Sequence, residues 1–106
     1  MDLFEIRTYR IKDNGMDEWV TFMEERVVPF VTARGMKVHA MFRGAEDPSV
    51  FTWIRSFKDD AAREALYKAV YEDEEWLANM KPTVMRLLDK PKNQILTMHR
   101  TPASPL

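Results

Sequence analysis

The sequence predicts an α+β domain in which a four-stranded antiparallel sheet carries helices on one face, in the order β-α-β-β-α-(α)-β. Three observations predict it. Apolar residues alternate with period two in four short segments. Between them lie long stretches whose apolar residues recur at helical spacing. Turn formers punctuate the chain at Asp13-Asn14-Gly15, Arg34-Gly35 and Glu46-Asp47-Pro48. This order is the split βαβ, or ferredoxin-like, arrangement. A chain of 106 residues holds one such domain.

Each element has its own signal. Residues 2–12 read as a strand with Phe4, Ile6 and Thr8 on a core face and Leu3, Glu5, Arg7, Tyr9 and Ile11 on a mixed face. After the Asp13-Asn14-Gly15 turn, Met16, Trp19, Val20, Met23, Val27, Phe30 and Val31 form one helical stripe, which Pro29 should kink and Gly35 should end. Residues 36–43 form a second strand, with Val38, Ala40 and Phe42 opposed to Lys37, His39, Met41 and Arg43. Residues 50–57 form a third, with Phe51, Trp53, Arg55 and Phe57 on one face. Ser56 or Asp59 caps a helix over 59–71 whose inner stripe is Ala61, Ala62, Ala65, Leu66, Ala69 and Val70. A further helical stretch follows, with Trp76, Leu77, Met80, Val84, Leu87 and Leu88 inward, bent or split in two at Pro82 and ended by Pro91. Residues 93–100 form the last strand.

Composition excludes several functions. Sixteen basic against seventeen acidic residues give a net charge of −1, which argues against a nucleic-acid binder. No apolar run approaches a bilayer span, and the N-terminal segment lacks the pattern of a signal peptide, so a cytoplasmic location is expected, with no membrane partner. The absence of cysteine removes disulfides, thiolate catalysis and thiolate metal sites. Two histidines sixty positions apart and three dispersed glycines leave no paired-histidine metal motif and no phosphate-binding loop. No metal or cofactor is expected.

Helices cover one face of such a sheet. The other, bearing Tyr9, Phe51, Trp53, Phe57 and Met41, is too apolar to be left wet. A second copy of the chain is the simplest cover, which predicts a homodimer closed into a dimeric α+β barrel. On that face Glu5, Arg7 and Tyr9 stand at alternate positions. Arg7 and Tyr9 suit an oxyanion, with Glu5 as a base or as the group that holds Arg7. The same residues also suit a self-neutralising ion pair that fixes register. Arg55 would add a second cation and favour an anionic ligand. His39 would serve as a proton shuttle, or sit at the dimer seam, and Trp53 would shape the pocket wall.

Several segments carry a resemblance. Phe4-Glu5-Ile6-Arg7-Thr8-Tyr9 opens the chain. Gly15 is followed by Met16-Asp17-Glu18-Trp19, and Pro29 and Gly35 come next. Phe51-Thr52-Trp53-Ile54-Arg55-Ser56-Phe57-Lys58-Asp59 leads into Ala61-Ala62-Arg63. Asp73-Glu74-Glu75-Trp76 and the closing Ser104-Pro105-Leu106 complete the series. In this order the chain resembles the NIPSNAP family. The resemblance implies a dimeric α+β barrel of ferredoxin-like subunits and assigns no reaction to particular residues. The wider group includes small monooxygenases, haem-degrading enzymes, dehydratases and ligand-binding proteins. Its haem degraders use an Asn on the first strand, which this chain lacks. Two functions fit: a small-molecule-binding or cofactor-independent proton-transfer or monooxygenase-like domain using Glu5, Arg7, Tyr9, His39, Trp53 and Arg55, or a non-catalytic homo-oligomeric interaction module.

Overall fold

The structure is a computed structural model that describes residues 2–106. Leu3–Arg10 (β1), Lys37–Arg43 (β2), Val50–Phe57 (β3) and Gln94–Met98 (β4) form one sheet in the spatial order β2-β3-β1-β4, every neighbouring pair antiparallel. This is the four-stranded open sheet of a ferredoxin-like α+β fold. β1 and β3 occupy its centre, with Glu5 opposite Arg55, Arg7 opposite Trp53 and Tyr9 opposite Phe51. The Asp13-Asn14 turn out of β1 has positive φ at both residues, 51° and 56°, and closes with Gly15 N–H to Lys12 O at 2.9 Å. These short polar side chains tolerate that conformation.

The first helical stretch is Met16–Phe22 (α1) and Val28–Ala33 (α2), joined by a wider π-turn over Met23–Val27. The second comprises Asp60–Tyr71 (α3), a π-turn over Trp76–Met80 and Lys81–Leu87 (α4). Neither Pro29 nor Pro82 breaks its helix. A proline has no N–H to give and its ring collides with the carbonyl four residues back. Here the turn just before each proline widens, with Val28 N–H bonding Met23 O and Lys81 N–H bonding Trp76 O. Asp59 is the cap of α3, its side chain accepting Ala62 N–H at 2.8 Å.

Two expectations are corrected here. The alternation of β1 assigns Phe4, Ile6 and Thr8 to the helix-covered side, but the structure reverses the faces. Tyr9, Phe51, Trp53 and Phe57 pack beneath the helices with Trp19, Met23, Val27, Val70 and Trp76. Phe42, Leu96 and Met98 stand on the uncovered face, about half exposed. The charges of Glu5, Arg7 and Arg55 make their face look mixed and suited to a cover other than the helices, but directly opposed strand neighbours neutralise one another and can be buried beneath them. The second correction concerns α3. Its alanines at 61, 65 and 69 are exposed, and Leu66, Tyr67, Val70 and Tyr71 turn inward. A sequence stripe of small residues fits either face of a helix, and the two tyrosines decide which one is buried.

Candidate functional site

At the centre of the covered face lies a buried charge cluster. Arg55 is 0% exposed and Glu5 1%. Arg55 Nε donates to Glu5 Oε1 at 2.7 Å, and Arg7 Nη1 donates to the same oxygen at 3.1 Å. Tyr67 donates its hydroxyl proton to Glu5 Oε2, and Arg63 Nη1 lies 3.8 Å from that oxygen. Arg55 Nη1 donates to the Tyr71 hydroxyl at 2.6 Å. Its guanidinium carbon lies 4.9 Å from the Trp53 ring and within 6 Å of Phe57, Tyr67 and Tyr71. Four rings thus surround a desolvated cation.

This environment shifts several groups. Burial alone would raise the Glu5 carboxyl, but Arg55, the Tyr67 hydroxyl and Arg7 outweigh it and hold Glu5 below its ordinary range. Burial works against the Arg55 charge, and Tyr71 and Glu5 more than offset it, so the guanidinium stays protonated. Burial pushes the Tyr9 phenol up, and burial together with the bond to Glu5 does the same for Tyr67. Both tyrosines therefore keep their protons at neutral pH.

Beside the cluster, between sheet and helices, is a cavity of about 310 Å³. Arg7, Tyr9 and Trp53 from the sheet line it, facing both π-turns through Met23, Val27, Trp76 and Leu77. Lys81, Lys90 and Asn93 are set around it. Trp53 Nε1 donates to the Tyr9 hydroxyl oxygen at 3.0 Å. Arg7 Nε and Trp19 Nε1 are buried donors without a partner, and Asn93 Oδ1 is a buried acceptor without one. All three residues line this cavity. Among the described residues no group of three His, Asp or Glu is placed to hold a metal ion, and no helix is long and apolar enough to cross a membrane.

Of the six residues singled out by sequence, the structure brings five together. Arg7, Tyr9 and Trp53 line the cavity, while Glu5 and Arg55 lie beneath it as the ion pair that sets Arg7. His39 is not among them. The register of β2 slips between Val38 and Ala40. At this bulge His39 lies toward the uncovered face, its Nε2 2.7 Å from Ser56 Oγ and its ring 5.2 Å from Phe4. Tyr67 and Tyr71 escape the sequence reading. Their signal is the run Arg63, Leu66, Tyr67, Val70 and Tyr71, which keeps the three- and four-residue spacing of one helix face.

The NIPSNAP family model matches residues 4–105. The chain belongs to the NIPSNAP family. A NIPSNAP family protein of unknown function from Agrobacterium tumefaciens superposes with a TM-score of 0.88 at 21% identity, covering 99% of this chain and 93% of its own. An uncharacterized NIPSNAP domain protein from Burkholderia xenovorans gives a TM-score of 0.84 at 17% identity, covering 97% and 98%. A Bordetella bronchiseptica protein, provisionally named an antibiotic biosynthesis monooxygenase, gives 0.70 at 17% identity, covering 94% and 97%. At these identities the likeness is one of fold. No curated protein matches the chain.

Proposed function

We propose that this NIPSNAP protein binds a small molecule with an anionic group and a flat apolar body in the cavity between sheet and helices, and that it does so as a homodimer. The lining supports the binding reading. It presents three cations, Arg7, Lys81 and Lys90, with no carboxylate, and six aromatic side chains: Tyr9, Trp19, Trp53, Tyr67, Tyr71 and Trp76. A mostly apolar cavity with a few convergent polar groups is the usual form of a small-molecule site. Glu5 has both oxygens occupied, which makes it a positioning group for Arg7 rather than a base. Monooxygenase-like and proton-transfer reactions are the first activities to assay, and the name of the Bordetella protein that shares the fold supports the former.

The dimer reading rests on the uncovered sheet face. Ile6, Ile54, Phe42, Leu96 and Met98 stand there. Its charges, Lys37, Arg10 and the tail residue Arg100, lie at its margins, and Arg10 is paired with Asp47 at 2.5 Å. An apolar face without central charge is complementary to its own copy.

Calorimetric titration with 2-naphthoate and its neutral isostere 2-naphthamide tests the binding reading. The carboxylate is expected to bind about tenfold more tightly, roughly 1.4 kcal/mol, and Arg7→Gln should erase the difference while leaving a folded protein. Equal affinities, or no binding of either, would refute the site. In that case the alternative gains: a non-catalytic homo-oligomeric module whose Glu5–Arg7–Arg55 cluster is architectural.

A further inference from the structure

We propose that the cavity is a site for phenols and enols and that it holds them as their oxyanions, with the oxygen against Arg7 and Tyr9. This rests on the reading that the cavity binds small molecules, and it names their chemical class.

Charge is the first support. The ionisable groups facing the cavity are Arg7 and Tyr9 from β1, Tyr67 and Tyr71 from α3, Lys81 from α4 and Lys90 from the turn before β4. None of them is a carboxylate. The nearest carboxylate, Glu5, lies beneath and is met by Arg55 and Arg7, two positive charges to its one, while Arg63, 3.8 Å away, is paired more closely with Asp60 at 2.7 Å. A ligand that brings a negative charge meets an unbalanced positive field, and on the sheet side of the cavity, where Tyr9 and Trp53 are buried, such interactions are strengthened.

Hydrogen-bond bookkeeping is the second. Arg7 Nε and Trp19 Nε1 are buried donors with no acceptor. The Tyr9 oxygen already accepts from Trp53 Nε1, which leaves its own proton to be given away. Burial raises the Tyr9 pKa, so the proton is there to give. The unpartnered polar atoms of this lining are thus mostly donors, with Asn93 Oδ1 the one orphaned acceptor. Such a site suits an oxygen that only accepts.

Shape is the third. Arg7 and Tyr9 are same-face neighbours on one strand, with the Arg7 guanidinium carbon 5.9 Å from the Tyr9 ring centroid. An oxygen bonded directly to a planar π-system can sit at this pair while the ring stacks against the tyrosine and tryptophan walls. The charge of a phenolate or enolate is spread over that ring, so burying it among aromatics costs less than burying a compact anion. On binding, the ligand O–H bond breaks, its electron pair stays on oxygen, and the proton leaves to solvent. The ligand becomes a carbon nucleophile without any base in the cavity.

The probe is 4-nitrophenol, which ionises near neutrality and whose anion is yellow. Its absorbance is titrated against pH with and without saturating protein. Its pKa is expected to fall by about 1 or more on binding, which corresponds to at least a tenfold preference for the anion. 2-Naphthoate should displace it. Arg7→Gln should abolish the shift, and Tyr9→Phe, which removes a single oxygen and serves if the first variant does not fold, should diminish it. Binding of 4-nitrophenol without a lowered pKa overturns the inference and leaves the anion site standing. So does failure to bind it where 2-naphthoate binds, or a shift that survives both substitutions. Failure of both probes overturns the binding reading itself.

Discussion

Arg55 has its whole side chain out of water, and its charge is balanced from one side by Glu5 and enclosed on the others by rings. Replacing it with methionine keeps much of the volume and leaves Glu5 to Arg7 and Tyr67. Breaking a buried pair in this way costs about 3 kcal/mol, and a urea melt of Arg55→Met should show a loss of that order. A loss below about 1 kcal/mol would mean that Arg7 takes over the pairing. Glu5 adds a pH dependence whose sign follows from its lowered pKa. The contribution is fully present above the ordinary glutamate value of 4.5 and is lost as pH falls through the lower folded value. Glu5→Gln should therefore flatten the decline of stability below about pH 4.5. At this scale the sequence is informative where alternation is regular: Glu5, Arg7, Tyr9, Trp53 and Arg55 share a face as their spacing says. It misleads at His39, because a bulge adds one residue that no local signal marks.

Among the elements, α3 shows how a small feature fixes a larger one. Asp59 satisfies one of the free N–H groups in the first turn of the helix, that of Ala62, and the cap orients the turns that carry Tyr67 and Tyr71 to Glu5 and Arg55. Asp59→Ala should cost about 1 kcal/mol in thermal or urea denaturation. It should also weaken 2-naphthoate binding less than Arg7→Gln does, since it frays the helix end without touching the cavity. Strand positions are readable from the sequence, and so are the places where the prolines disturb their helices, but not the π-turns that absorb them. Nor is the buried face of α3, because alanine satisfies a helix on either side, and only the tyrosine hydroxyls finding partners in the sheet breaks the tie. The faces of β1 are misread for a related reason. Hydropathy counts Glu5 and Arg7 as wet one at a time, whereas their burial is decided jointly with Arg55.

For the whole molecule, the order β2-β3-β1-β4 leaves one broad face without helices. Phe42, Leu96 and Met98 stand out from it. Leu96→Asp should convert the proposed dimer to a folded monomer in native mass spectrometry. A wild-type monomer would end the dimer reading. A dimer indifferent to the substitution would move the interface elsewhere. A face apolar enough to call for a cover is expected from the sequence alone. Which face needs it is not, because that depends on the mutual neutralisation just described.

The two π-turns have an evolutionary reading. Each is a helix turn holding one residue more than regular winding needs, and each sits immediately before a proline. Both border the same cavity, and Arg26 of the first lies 3.8 Å from Glu75, the residue preceding the second. When relatives are aligned, a single-residue gap is expected at these two places. A family member that lacks the extra residue would wind straight past the cavity, rotate every later side chain of that helix by about 100°, and present a different wall to whatever it binds. Length variation at two points, rather than substitution within the lining, is thus a direct way for this fold to reshape the cavity wall.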